Sequence, residues 1–168
     1  MLVLCAAAMA QTADAPPSRV VVEEEAEPLL NGRAVGHGAG VVLGYPTGLS
    51  YAYKPDQSRT AIQLGIGWAW KTTLRVHTDL LFDVYTLRDP GLLDWAFPFY
   101  VGIGGRVILG DDKVDTIASV GARVPLGMAV EPDKYPFDVF VELVPILQVW
   151  PETTVRADVA VGGRVYFF

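Results

Sequence analysis

Residues 159–168 read Val159-Ala160-Val161-Gly162-Gly163-Arg164-Val165-Tyr166-Phe167-Phe168. Bulky apolar positions alternate with small or charged ones, and a side-chain period of two belongs to a strand, whose successive residues face opposite sides of a sheet. The stretch reads as a strand with Val159, Val161, Val165 and Phe167 on one face and Gly162 and Arg164 on the other. Placing Phe168 on the apolar face as well would require a bulge near Gly162-Gly163.

The same period recurs upstream. From Gly36 onward, turn chemistry punctuates the chain at Tyr45-Pro46-Thr47-Gly48, Lys54-Pro55-Asp56-Gln57, Gly110-Asp111-Asp112-Lys113, Glu131-Pro132-Asp133-Lys134 and Trp150-Pro151-Glu152-Thr153. Between these clusters the pattern predicts about eight strands, near 36–43, 49–53, 60–70, 73–82, 97–109, 117–128, 137–147 and 155–168. The longest predicted connection is 83–96. The others are too short for protruding recognition loops.

Alternation alone does not say which face is which, because a soluble lipocalin-like barrel shows the same period with its apolar side inward. The kinds of polar residue decide. One face carries Ile62, Leu64, Ile66, Trp68, Leu74, Val76, Leu80, Phe99, Val101, Ile103, Val107, Val120, Val124, Leu126, Val139, Val141 and Leu143. The other carries Gln63, Gly65, Gly102, Gly104, Ser119, Gly121 and Asp138, together with Arg75, His77, Asp79, Arg106, Arg123, Glu142, Arg156, Asp158 and Arg164. All four lysines, Lys54, Lys71, Lys113 and Lys134, fall in predicted turns. Glycine beside arginine and carboxylate suits a cramped interior in which planar guanidinium groups pair with acids, so the apolar face is expected to meet lipid. Aromatic residues near strand ends (Trp68, Trp70, Phe97, Phe99, Trp150 and 166–168) sit where interfacial girdles are found.

Composition agrees. Half the chain is hydrophobic (51%) and it has 17 glycines, yet no run approaches the roughly 20 apolar residues of a transmembrane helix. The net charge of -6 gives no basic stripe for nucleic acid. Residues 1–10, ending Ala8-Met9-Ala10, are expected to be a signal peptide whose start is truncated, since no basic residue precedes the apolar run. Cys5, the sole cysteine, would leave with it, and Leu4 before it argues against a lipoprotein site. Residues 11–35, with Glu23, Glu24, Glu25 and Glu27, are expected to form a disordered acidic periplasmic lead-in.

The succession Pro46-Thr47-Gly48-Leu49-Ser50, His77-Thr78-Asp79, Gly102-Ile103-Gly104-Gly105-Arg106, Arg123-Val124-Pro125-Leu126-Gly127 and Phe137-Asp138-Val139-Phe140-Val141-Glu142 resembles a family of small bacterial outer-membrane β-barrel proteins. In architecture these belong with the OmpA/OmpX-like eight-stranded barrels. The terminal aromatic strand likewise resembles the closing strand of such proteins, which implies that Tyr166, Phe167 and Phe168 form a signal for the outer-membrane assembly machinery. The expectation is an all-β chain whose residues 36–168 form an eight-stranded antiparallel up-and-down transmembrane β-barrel, an integral monomer of the bacterial outer membrane. The resemblance implies no catalytic residues.

The inward polar set is read as a charge network that fills and neutralises the lumen, in a structural or membrane-organising protein that is not an enzyme and takes no cofactor. One alternative is a lipid-modifying hydrolase built on His77 and Asp79 with a serine such as Ser119, but an i, i+2 pair on a strand makes poor contact. Another is a narrow channel or small-ligand transporter, although eight strands leave room for little more than side chains. His37 and His77 are too few for a histidine metal site, and no carboxylate cluster has calcium-loop spacing.

Overall fold

A computed structural model describes residues 34–44, 47–56, 58–69, 73–89, 95–111 and 116–167. The expected signal peptide, nearly all of the acidic lead-in, Trp70, Lys71, Lys113 and Phe168 lie outside the described residues. The strands are β1 (Gly36–Gly44), β2 (Thr47–Lys54), β3 (Thr60–Ala69), β4 (Thr73–Asp89), β5 (Trp95–Asp111), β6 (Thr116–Arg123), β7 (Leu126–Pro132), β8 (Phe137–Trp150) and β9 (Thr154–Phe167). Together they make one antiparallel, nine-stranded sheet, and eight of the strands close into a hydrogen-bonded ring in the order β4-β3-β2-β1-β9-β8-β6-β5, with β5 returning to β4.

The ninth strand arises from a break rather than from an extra turn of chain. β6 and β7 occupy one place in the ring, end to end, each between β5 and β8. Gly104 faces Arg123 on one side of the break and Val101 faces Leu126 on the other, so no residue is gained or lost. Pro125 has no N–H to return to β5, and Pro145 has none to return to Val124, so each side of the break keeps single bonds: Gly102 N donates to Pro125 O at 2.8 Å and Val124 N to Pro145 O at 3.0 Å. The single strand expected over 117–128 is thus two strands.

The ring is strongly staggered. Starting from Gly40 and stepping from partner to partner through Ser50, Gly65, His77, Arg106, Gly121 and Gln148 leads to Thr154 on β9. Gly40 itself pairs with Arg164, ten residues further along that strand. Closing a sheet with such an offset tilts the strands by about 35–45° from the ring axis.

Two expectations about strand ends need correction. Residues 83–96 are not a loop: β4 continues to Asp89 and pairs with β5 from Trp95. A bulge between Asp83 and Tyr85 inserts Val84 and flips the parity, so the alternation that runs to Phe82 reverses beyond it. At the other end, β9 shows no bulge at Gly162-Gly163; its pairing with both β1 and β8 runs without a shift. Tyr166 therefore points inward and is buried, while Phe167 is exposed.

The faces fall as the alternation predicts. Leu64, Ile66, Trp68, Val76, Ile103, Val124, Leu143, Val161 and Val165 are exposed on the outside of the ring, and Gln63, Asp79, Arg106, Arg123, Asp138, Glu142 and Arg164 are buried within it. Burial of the small apolar cluster Val42, Leu81, Tyr100, Ala129, Phe140 and Ala160 adds to the interior packing. Glycine makes that interior possible at particular points. A Cβ built on Gly65 would collide with the His77 ring, one on Gly162 with the Phe140 ring, and one on Gly127 with the Tyr100 ring.

Candidate functional site

The polar side chains that share the inward face converge in the middle of the ring because every second residue of each strand must point there. Arg164 is the best-bound of them. Its Nε and Nη2 donate to both oxygens of Asp138 (3.1 and 2.7 Å for the shorter contacts), and its Nη1 donates to Gln63 Oε1 at 2.7 Å. Its guanidinium also lies 4.3 Å over the Phe140 ring, the stacked, forked arrangement that arginine makes and lysine does not. Tyr166 donates its hydroxyl to the same Asp138 at 2.8 Å.

From Gln63 the chain of contacts continues. Its Nε2 donates to Glu142 Oε1 at 3.0 Å, and Tyr100 donates to the same oxygen at 2.9 Å. Arg123 then bridges carboxylates, with Nη2 at 3.9 Å from Glu142 and Nε at 3.0 Å from Asp79. His77 Nε2 ends the series, 3.9 Å from Asp79. Burial of charges in such a setting is tolerable only when each is paired, and here every member of the series lies against an opposite charge or a neutral donor.

Two further pairs stand apart from this series. Arg106 Nη1 donates to Asp158 at 3.1 Å. At the opposite end Lys54 Nζ donates to Glu131 at 2.6 Å and lies 3.5 Å from Asp83. Lys54 overturns the expectation that all lysines sit in turns: it is the last residue of β2, inward and 5% exposed. Glu131, expected in a turn, is buried at the end of β7. Both obey the parity of their strands, Lys54 with Ser50 and Ala52 and Glu131 with Ala129; the neighbouring Pro55 and Pro132 obscured that signal.

Of the nine residues expected to form one network, Arg123, Asp79, Glu142, His77 and Arg164 join one series, while Arg106 and Asp158 form their own pair. Arg75 is buried beside them. Arg156 shares the inward parity, opposite buried Ile146, but is exposed at the mouth. Asp138, Gln63, Tyr100 and Tyr166 bind the network as firmly as the charged residues singled out, and the inward parity of each was legible.

The charges are also divided along the axis. Arg75, Arg106 and Arg156 lie toward the end where β4, β6 and β9 begin, with Asp158 among them, and Arg123, the last residue of β6, stands at mid-ring against Asp79. Lys54 and Arg164 lie toward the end where β2 and β9 finish, with Asp83, Glu131, Asp138 and Glu142. Among these side chains cations outnumber acids at the first end and acids outnumber cations at the second.

Chemically, the middle of the ring is closed. Among the described residues no hydroxyl hydrogen-bonds to His77, and no cluster of three metal-ligating side chains occurs. The nearest inward serine by register is Ser50, which stands opposite Gly65 under the His77 ring, and its Oγ has no partner among the described residues. Ser119 is buried near the cationic mouth. On the outside, His37 Nδ1 lies 2.7 Å from the Tyr51 hydroxyl, and its ring is close to Tyr53 and Phe167.

Comparison with known proteins adds no relative: no protein-family model, no curated protein and no solved structure matches the chain.

Proposed function

We propose that this protein is an integral β-barrel of the bacterial outer membrane, related to the small barrel family that its motifs resemble, whose side-chain-filled lumen gives it a structural or membrane-organising role rather than a catalytic one. One observation carries the reading: the closed ring turns its apolar residues outward and its charges inward. A soluble monomer exposing Val41, Leu43, Ile62, Leu64, Ile66, Ile103, Val139, Leu143, Val159 and Val161 at once, each above 40%, would present far more contiguous apolar surface than the few hundred Å² usual for such proteins. In lipid the same surface costs nothing, and a ring with no free edge satisfies its backbone internally.

The dimensions support the same reading. β8 has 14 residues, with Val139, Val141, Leu143, Leu147 and Val149 outward between Phe137 and Trp150. At about 3.3 Å per residue and a tilt near 40°, such a strand rises roughly 35 Å, enough to cross an apolar band of about 25 Å with an aromatic at each interface. The buried ion pairs fill much of the interior with side chains, which favours a filled lumen over a channel.

Membrane fractionation tests the proposal. The mature protein is expected in the outer-membrane fraction after carbonate washing, and to migrate differently on gels before and after heating, because a closed ring unfolds slowly. Recovery as a soluble periplasmic monomer overturns it in favour of a soluble carrier; hydrolysis of phospholipid lost with His77→Ala would overturn the non-catalytic reading.

A further inference from the structure

Arg106 is 5% exposed, and only one corner of its guanidinium is used: Nη1 donates to Asp158, while Nε and Nη2 have no hydrogen-bond partner among the described residues. Those two atoms form the forked edge that matches two oxygens of a carboxylate or phosphate. Leaving them buried and unmatched is costly, since each desolvated donor forfeits its bonds to water. The described surroundings do not supply the missing negative charge. Arg75, Arg123 and Arg156 all lie within electrostatic reach of Arg106, and Asp158 is the one carboxylate beside it among the described side chains.

A neutral donor stands at the same place. Arg106 pairs with Gly121 and Ile108 with Ser119, so Ser119 and Arg106 are diagonal neighbours on the inward faces of β5 and β6. The Ser119 Oγ is buried and has no partner among the described residues. Arg156, exposed at the mouth, gives a charged approach from solvent. We infer that this end of the interior is a binding site for a small oxyanion of the phosphate class, held by the Nε/Nη2 fork of Arg106 and the hydroxyl of Ser119, with Arg156 drawing the anion in. The site goes beyond the membrane reading and does not depend on it, because it lies inside the ring whatever surrounds the outer face.

The test is titration of the full chain, in neutral detergent, with inorganic phosphate at constant ionic strength against a chloride background, followed by calorimetry. Saturable binding is expected. Arg156→Gln should weaken it by a few fold, because it removes one positive charge from the approach to the site, without disturbing the fold. Because Arg106→Gln alone would strand Asp158, the variant for that residue is Arg106→Gln with Asp158→Asn, which should abolish binding while the heat-dependent gel shift persists. Arg59→Gln, exposed at the opposite end, should leave affinity unchanged. Absence of saturable binding overturns the site, and so does equal weakening by Arg59→Gln and Arg156→Gln, which would mean that net charge alone attracts phosphate. Repeating the titration in phosphatidylcholine vesicles with and without phosphatidic acid identifies the source. Displacement of phosphate by phosphatidic acid assigns the site to a lipid headgroup, and no displacement assigns it to the free anion.

Discussion

Lys54 Nζ lies 2.6 Å from Glu131 Oε1, joining β2 to β7 across the interior of the ring although the two strands share no backbone hydrogen bond. Both side chains are buried, at 5% and 1% exposure. Asp83 on β4 is the third member, 3.5 Å from the same ammonium. Three strands are thereby tied at the end of the ring where the described chain enters and leaves.

Lys54→Ala is expected to destabilise the folded ring by about 3–5 kcal/mol, because it removes the ammonium 2.6 Å from buried Glu131 and 3.5 Å from part-buried Asp83. Lys54→Met combined with Glu131→Leu should recover much of that loss, since a buried pair replaced by apolar groups of similar volume is often neutral. Urea unfolding of both variants in detergent measures the difference. A double variant as unstable as the single one would show that the pair contributes more than its own neutralisation.

Glu142 accepts hydrogen bonds from Gln63 and Tyr100 and faces Arg123. Glu142→Ala should therefore cost more than Glu142→Gln, because glutamine keeps an acceptor for both donors and Arg123 retains Asp79, 3.0 Å away, in either variant. The same unfolding assay reads the order, and the reverse order would contradict the role of Glu142 as the shared acceptor.

Arginine at Leu64 or Val101, on the outward face near mid-height, is expected to cost on the order of 2–4 kcal/mol in lipid, whereas Ser119→Gln inside the ring should cost far less. Refolding titrations into lipid vesicles check this. Equal tolerance at the two kinds of position would mean that the outer face does not meet lipid.

Neighbouring glycines on β5 should respond oppositely to a methyl group. A Cβ on Gly104 would collide with Asp79 and the Thr78 carbonyl, so Gly104→Ala is expected to cost about 1–3 kcal/mol. At Gly105 the nearest atom to such a Cβ is the Gly121 carbonyl at 3.8 Å, and Gly105→Ala should stay within about 0.5 kcal/mol. Unfolding midpoints of the two variants decide it.

Tyr166→Phe removes the hydroxyl that donates to Asp138, and a hydrogen bond to a charged group is worth about 1.5–3 kcal/mol. Phe167→Tyr, on the outward face beside His37, should be nearly neutral. A larger effect at position 167 would place the last strand one residue out of register.

Sequence alone determined which residues of this protein are inside and which are outside, because a strand has a period of two and a one-residue slip would turn every side chain over. Gln63 and Leu64, Arg106 and Val107, Glu142 and Leu143 were assigned to opposite faces by parity and stand there. It failed where parity is interrupted or masked by turn chemistry. The bulge at Val84 reversed the alternation and hid the rest of β4. Pro55 and Pro132 made Lys54 and Glu131 look like turn residues, and Pro125 gave no hint that it splits a strand without shifting its register. Tertiary structure alone decided the partners. Lys54 is 77 residues from Glu131, and Gln63 is 101 from Arg164. Which charge meets which depends on the ten-residue stagger of the closed ring, a property of all its hydrogen-bond registers together that no single strand encodes.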